Sequence, residues 1–246
     1  MTRALVVGGV AYGETHRVVR LLTPDGRIDA FAPGVRNSRR RFAGALDALQ
    51  TIDAQLHRRT REDGLRTLEA ATVLEARLDL REDLERIALG SYGAELCWML
   101  APSGAQSGLF ERAEELLNGL KTLAASRPLR RAFELRLLAE LGYATDLRVC
   151  VACGTLAAEV GRLDFGEGGR LCRRHGAPAG VRWVGPRSFA WAASILEAEA
   201  LSCEHGLDAD GQARAEANIG PPLDLFFDQL LERRPKSAEL LRSLNL

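Results

Sequence analysis

Cys150-Val-Ala-Cys153-Gly154 is followed by Cys172-Arg-Arg-His175-Gly176, with eighteen residues between Cys153 and Cys172. Two pairs with two-residue gaps, about 15 to 20 residues apart, match the ribbon type of zinc site. The gap lets both side chains of a pair face one metal while the amides of the turn face the sulfurs. A glycine after the second ligand permits a left-handed backbone, and Gly154 and Gly176 are expected to fill that place alike. Three thiolates and one neutral imidazole complete a tetrahedron and leave no position for water, so the site is structural. The predicted cofactor is one structural zinc ion on Cys150, Cys153, Cys172 and His175. A segment as short as 149–178 builds too small a core to hold itself, so the metal is expected to supply most of its folding free energy.

Other chemistry fits less well. A redox Cys-x-x-Cys sits at a strand-to-helix junction, whereas Cys150 follows a helix and its loop and comes with a second pair. A zinc deaminase needs His-x-Glu ahead of Pro-Cys-x-x-Cys, and Val149 stands where the proline belongs. Cys97 reads as a core residue of its helix, and the one-residue gap between Cys203 and His205 is poor for a knuckle. There is no Gly-x-x-x-x-Gly-Lys-Ser/Thr loop for a nucleotide. The chain is therefore not expected to be an enzyme.

The hydrophobic pattern changes period along the chain. Ala4 to Val10, His16 to Thr23, Gly26 to Pro33, the alternating Ile52, Ala54 and Leu56, and Leu65 to Leu74 read as five short strands separated by turn signals. Five strands in about 75 residues suit a small Greek-key barrel such as the OB-fold better than a sandwich of seven. Tyr12, Phe31 and Phe42 are expected to fill that barrel. From Leu80 the period is helical: Asp83 to Ala101, Phe110 to Ala125, Leu129 to Leu141 ahead of Gly142, then Ser188 to Glu204, Pro222 to Glu232 and Ser237 to Leu244. The expected architecture is α+β, with an OB-fold barrel over 1–79 and a helical bundle over 80–148 and 179–246. A zinc-ribbon-like insertion over 149–178 interrupts the bundle. Met1 to Gly13 reads as a first strand rather than a signal peptide, and no run approaches the ~18 apolar residues a membrane helix needs. The expected compartment is the cytoplasm, with no membrane partner.

Formal net charge is zero, which alone argues against a nucleic-acid binder. The average conceals a segregation: residues 1–66 hold 12 arginines against 7 acidic residues, while 67–149 and 179–246 are each acidic by 3. Such asymmetry directs the first domain at a polyanion. Arg36, Arg39, Arg40 and Arg41 fall between two predicted strands, and Arg58, Arg59 and Arg61 lie at the next turn, beside His57. Loops of this kind flank the nucleic-acid face of an OB barrel. The rival reading is a non-catalytic scaffold whose basic barrel holds an acidic protein. Arg127, Arg130 and Arg131 open a helix with Leu129, Phe133, Leu137 and Leu141 on its apolar face; they form either a solvated face or a seat for an acidic partner peptide.

Several ordered segments resemble the bacterial DNA repair and recombination mediator family RecO: Gly13-Glu14-Thr15, Leu22-Thr23-Pro24-Asp25-Gly26-Arg27, Ala32-Pro33-Gly34-Val35-Arg36 and Gly44-Ala45-Leu46. Phe133-Glu134-Leu135-Arg136-Leu137-Leu138, Leu141-Gly142-Tyr143, the Leu147 to Gly154 stretch and Lys236-Ser237 continue the likeness over nearly the whole chain. The resemblance implies binding of single- and double-stranded DNA and annealing of complementary strands without ATP. It implies work with RecR, often with RecF, to load RecA onto strands coated by single-strand binding protein, and contact with that protein's acidic tail, at the nucleoid. His175 stands where many members have cysteine, and the basic loop here is all arginine. Since some members lack the ligands, the resemblance also implies that zinc is not needed for the shared function.

Overall fold

The computed structural model describes residues 1–35, 38, 40–60, 64–144, 146–156, 159–176 and 182–246, with the backbone alone at 58–60. Strands β1 (Thr2–Tyr12), β2 (His16–Thr23), β3 (Gly26–Ala32), β4 (Thr51–Thr60) and β5 (Arg66–Glu75) close into a barrel in the order β1-β2-β3-β5-β4. All neighbours are antiparallel except β3 and β5, which run parallel. This is the five-stranded OB arrangement. Period-two alternation turns Ala4, Val6, Val19, Leu21, Ala30, Ala32, Ile52, Ala54 and Leu68 inward.

β1 runs through Gly8 and Gly9 because its register against β2 shifts between Val6 and Gly8. A bulge of that kind absorbs an extra residue and bends the strand. A Cβ on Gly9 would stand 2.6 Å from the Val18 carbonyl oxygen, so the crossing is close enough to require glycine. Between β3 and β4 the chain drops Phe42, Ala45 and Leu46 into the barrel core. Of the three aromatic residues expected there, Phe42 is in the core. Phe31 is buried too, but outside the barrel-interior cluster, since it alternates with the inward Ala30 and Ala32; Tyr12 is exposed.

Helices α1 (Leu84–Leu100) and α2 (Leu109–Gly119) pack on the barrel and form one compact unit with it, comprising Met1–Lys121 and Pro235–Leu241. Polar groups fasten this packing. Arg77, in a left-handed conformation, donates to the Leu49 carbonyl at 2.9 Å, to Thr51 Oγ1 at 2.8 Å and to Glu114 Oε1 at 2.9 Å; Arg3 takes the other oxygen of Glu114 at 2.8 Å. Gly26 (φ +97°) ends the β2–β3 turn, and a Cβ there would meet the Pro102 carbonyl oxygen at 2.1 Å. The Arg27 amide donates to that same oxygen at 3.0 Å. These contacts hold the first two helices against the barrel.

The second unit comprises Thr122–Arg234 and Arg242–Leu246. Ser126 caps α3 (Arg127–Glu140), accepting from the Leu129 amide at 3.3 Å. Gly142 (φ +84°) closes the helix, the Tyr143 amide reaching back to the Leu138 carbonyl at 2.8 Å. The short hairpin β6 (Gly161–Asp164) and β7 (Gly169–Cys172) follows, then α4 (Pro186–Glu197) and α5 (Ala209–Leu230); α6 is the short helix Ala238–Ser243. α5 is twice the length expected from Pro222–Glu232: it starts at the Asp208 cap, and Pro221 and Pro222, which suit the first turn of a helix, lie inside it. Proline at 221 cannot donate to the Ala217 carbonyl, and the Arg182 guanidinium supplies that bond instead, at 2.6 Å. Among the described residues no helix is long and apolar enough to cross a membrane.

Candidate metal centre and nucleic-acid interface

Cys150, Cys153, Cys172 and His175 converge, with one ligand atom from each lying within 4.8 Å of all the others. The edge of a tetrahedron with zinc–sulfur bonds of about 2.3 Å is about 3.8 Å. His175 Nδ1 lies 3.7 Å from Cys150 Sγ and 3.3 Å from Cys172 Sγ, so the imidazole presents that nitrogen. Both turns are built alike. The amides of Cys153 and Gly154 donate to the Cys150 carbonyl at 3.3 and 2.7 Å, and those of His175 and Gly176 to the Cys172 carbonyl at 3.0 and 2.7 Å.

The two glycines differ in their reasons. Gly154 is left-handed (φ +69°), as expected, but Gly176 has no positive φ. It is needed for proximity, since a Cβ there would meet Arg162 Cβ at 3.0 Å and the Cys172 carbonyl oxygen at 3.1 Å. The halves are joined by main chain, the Val151 amide donating to the Arg170 carbonyl at 2.9 Å. Burial pushes the Cys150 thiol up, but amide donors from Cys172, Ala152 and Cys153 outweigh it and bring the pKa down to about 6. A thiol held as thiolate by its own backbone is the donor a soft or borderline cation requires, so these residues can hold a metal ion. Cys97 is fully buried and its thiol is pushed up by desolvation, as befits a core residue. Cys203 offers its carbonyl to the Trp191 indole at 2.8 Å.

Of the arginines expected on the barrel, Arg40 and Arg41 are described and both are exposed. Arg41 donates to the Pro33 carbonyl at 2.8 Å and lies over the Phe42 ring at 5.2 Å. Among the described residues neither has a carboxylate partner. Arg36, Arg39 and Arg61 lie outside the described residues, as do the side chains of Arg58 and Arg59. Arg66 folds back on the His57 carbonyl at 3.0 Å.

The trio on α3 is arranged differently from a basic surface. Arg131 is 3% exposed and donates to Glu134 at 2.8 Å, to Glu216 at 3.2 Å and to Asp224 at 2.7 and 2.9 Å. Burial alone would lower its pKa, yet the carboxylates of Glu134 and Asp224 raise it. Arg130 pairs with Glu134 at 2.8 Å and with the Leu246 backbone oxygen at 3.0 Å, and the half-exposed Arg127 reaches Glu216 at 3.1 Å. The three basic residues share one helix turn with Glu134 of α3 itself; their other carboxylates, Glu216 and Asp224, arrive from α5, about 85 to 94 residues later.

Residues 1–77 match the family model described as the recombination protein O N terminal, and residues 81–204 match the one for its C terminal. The chain is 37% identical over 244 residues to a DNA repair protein RecO of Anaeromyxobacter dehalogenans, covering 96% of this chain and 93% of that one. It is 34% identical to that of Pelobacter propionicus (99% and 96% covered) and 33% identical to that of Myxococcus xanthus (99% and 97%). With both halves matched in order and relatives aligned along nearly their whole length, the chain belongs to the RecO family of DNA repair proteins.

Proposed function

We propose that this chain is a non-enzymatic, DNA-binding recombination mediator that anneals complementary strands without ATP and, with RecR, helps load RecA onto single strands coated by single-strand binding protein. The observation that carries the reading is the arginine-rich connection between β3 and β4, where Arg40 and Arg41 stand exposed, with no carboxylate partner among the described residues, on a barrel of the oligonucleotide-binding type. With Arg36, Arg39, Arg58, Arg59 and Arg61, they would neutralise phosphates of two strands and lower their mutual repulsion, leaving base pairing to finish the reaction. Zinc on Cys150, Cys153, Cys172 and His175 would be structural, since three thiolates and an imidazole leave no position for a reactive water. The internal pairing of Arg131 leaves Arg127 as the most open cation of the α3 trio, and so the one an acidic partner tail would reach first.

Binding of labelled oligonucleotides to the chain and to an Arg40→Glu/Arg41→Glu variant, measured against salt, tests the reading. The unaltered chain should lose about 10³-fold or more in affinity over a modest salt increase, and the variant should bind weakly with a shallower slope. Unchanged affinity in the variant at moderate salt would refute the placement. Absence of DNA binding with retained capture of acidic protein would favour the scaffold.

A further inference from the structure

The outer face of the barrel carries an aromatic arrangement that the core does not need. Cross-strand partners place Val10, Val18, Phe31 and Thr67 in one row over β1, β2, β3 and β5, with the Tyr12–His16 pair one step along. Phe31, 8% exposed, is roofed from outside: the Tyr12 ring packs perpendicular to it with centroids 5.6 Å apart, and the His16 ring lies at 5.2 Å. Tyr12 is 52% exposed and Val10 62%. A large aromatic side chain seated on a second ring keeps a fixed plane and loses little further freedom on contact, which suits a stacking surface.

Its position relative to the cations follows from a chain of contacts. His16 Nδ1 accepts from the Gly34 amide at 2.9 Å, which pins the imidazole to the start of the β3–β4 connection. Pro33, next to it, holds Arg41 through its carbonyl at 2.8 Å. The ring and the exposed Arg41 thus border the same outer face, within a region, residues 1–66, whose arginines exceed its acids by 5. An apolar seam bordered by an exposed cation that has no carboxylate partner among the described residues fits a strand that offers both a π-face and a phosphate, and fits a charge-depleted protein interface core poorly.

We propose that Tyr12, propped by Phe31 and His16, is a stacking platform for an unpaired base, so that this face engages single strands more tightly than duplex. The inference rests on the DNA-binding reading above and adds the strand class that the barrel takes. Stacking needs a base outside a pair, whereas phosphate contacts serve either form.

The test is titration of a labelled thymidine oligonucleotide and a hairpin duplex of equal charge into the full chain and into Tyr12→Ala, Tyr12→Leu and Tyr12→Phe. Both Tyr12→Ala and Tyr12→Leu should lose about 5- to 100-fold on the single strand and less than about two-fold on the duplex, with Tyr12→Phe unchanged. The leucine variant keeps an apolar cover over Phe31, so a loss it shares with alanine is not a folding defect. Because no phosphate contact is removed, the salt slope should stay the same. Intact DNA binding with no effect of Tyr12→Ala, or with equal loss on both forms, overturns this inference alone and leaves the seam to a protein partner. Failure of the unaltered chain to bind either form overturns the underlying reading together with it.

Discussion

Arg131 shows how a charged residue can be read correctly as a residue and wrongly as a surface. Its guanidinium is buried among Glu134, Glu216 and Asp224, with Glu134 itself fully buried. Removing it leaves Glu134 to Arg130 and Glu216 to the half-exposed Arg127, so the buried carboxylates are only partly compensated, at a cost of about 3 kcal/mol, the low end for a broken buried pair. Arg131→Ala should lower stability by that amount in urea titration, and Arg131→Met should do no better, because the lesion is the stranded carboxylates and not the lost volume. Glu95 is a second case. Burial pushes its carboxyl up, but donors from the Ser237 amide and hydroxyl, at 3.0 and 2.8 Å, together with Arg20, bring it below its ordinary 4.5. A carboxyl lowered on folding contributes stability that is full above 4.5 and is lost as pH falls through its folded value. The stability difference between the chain and Glu95→Gln should therefore be largest at neutral pH and shrink below about pH 4, as read from urea midpoints across the range.

At the scale of elements, the sequence was most informative where periodicity is short. The five strands appear where alternation and turn signals put them, because each strand's inward set is spaced by two residues and one face is buried. The convergence of Cys150, Cys153, Cys172 and His175, which could hold a metal ion, was equally legible, its two turns being local in sequence. What local patterns cannot show is which distant backbone group satisfies a broken ladder. α5 continues through Pro221 and Pro222 because Arg182 supplies the donor to Ala217, a contact between residues 35 apart. Nor could alternation alone assign Phe31 to the outside, since that requires knowing that Ala30 and Ala32 are the inward pair. Arg182→Ala should leave the Ala217 carbonyl without this donor and destabilise the second unit by about 1 to 2 kcal/mol. Hydrogen exchange should rise locally around 213–222, whereas an unchanged pattern would mean that solvent serves the carbonyl equally well.

On the scale of the whole molecule, the arginines of the barrel and the cysteines of the knuckles fall in different compact units, Met1–Lys121 with Pro235–Leu241 and Thr122–Arg234 with Arg242–Leu246. The metal ligands belong entirely to the second, and its hairpin is only four residues on each strand, too little to hold the two turns together without a cross-link. Metal binding is folding free energy for such a segment, so removing the ion should loosen 149–176 and lower the thermal transition of the second unit. The barrel draws its stability from its own closed sheet and from the Arg77–Glu114 network, all within the first unit. A strong chelator, or Cys172→Ser, should therefore lower one calorimetric transition and raise exchange in the knuckles. The DNA affinity and its salt dependence should stay within about two-fold of the untreated chain, a change of less than about 0.5 kcal/mol. A parallel loss of DNA affinity on chelation would instead make the metal part of the binding surface and move the nucleic-acid face off the barrel.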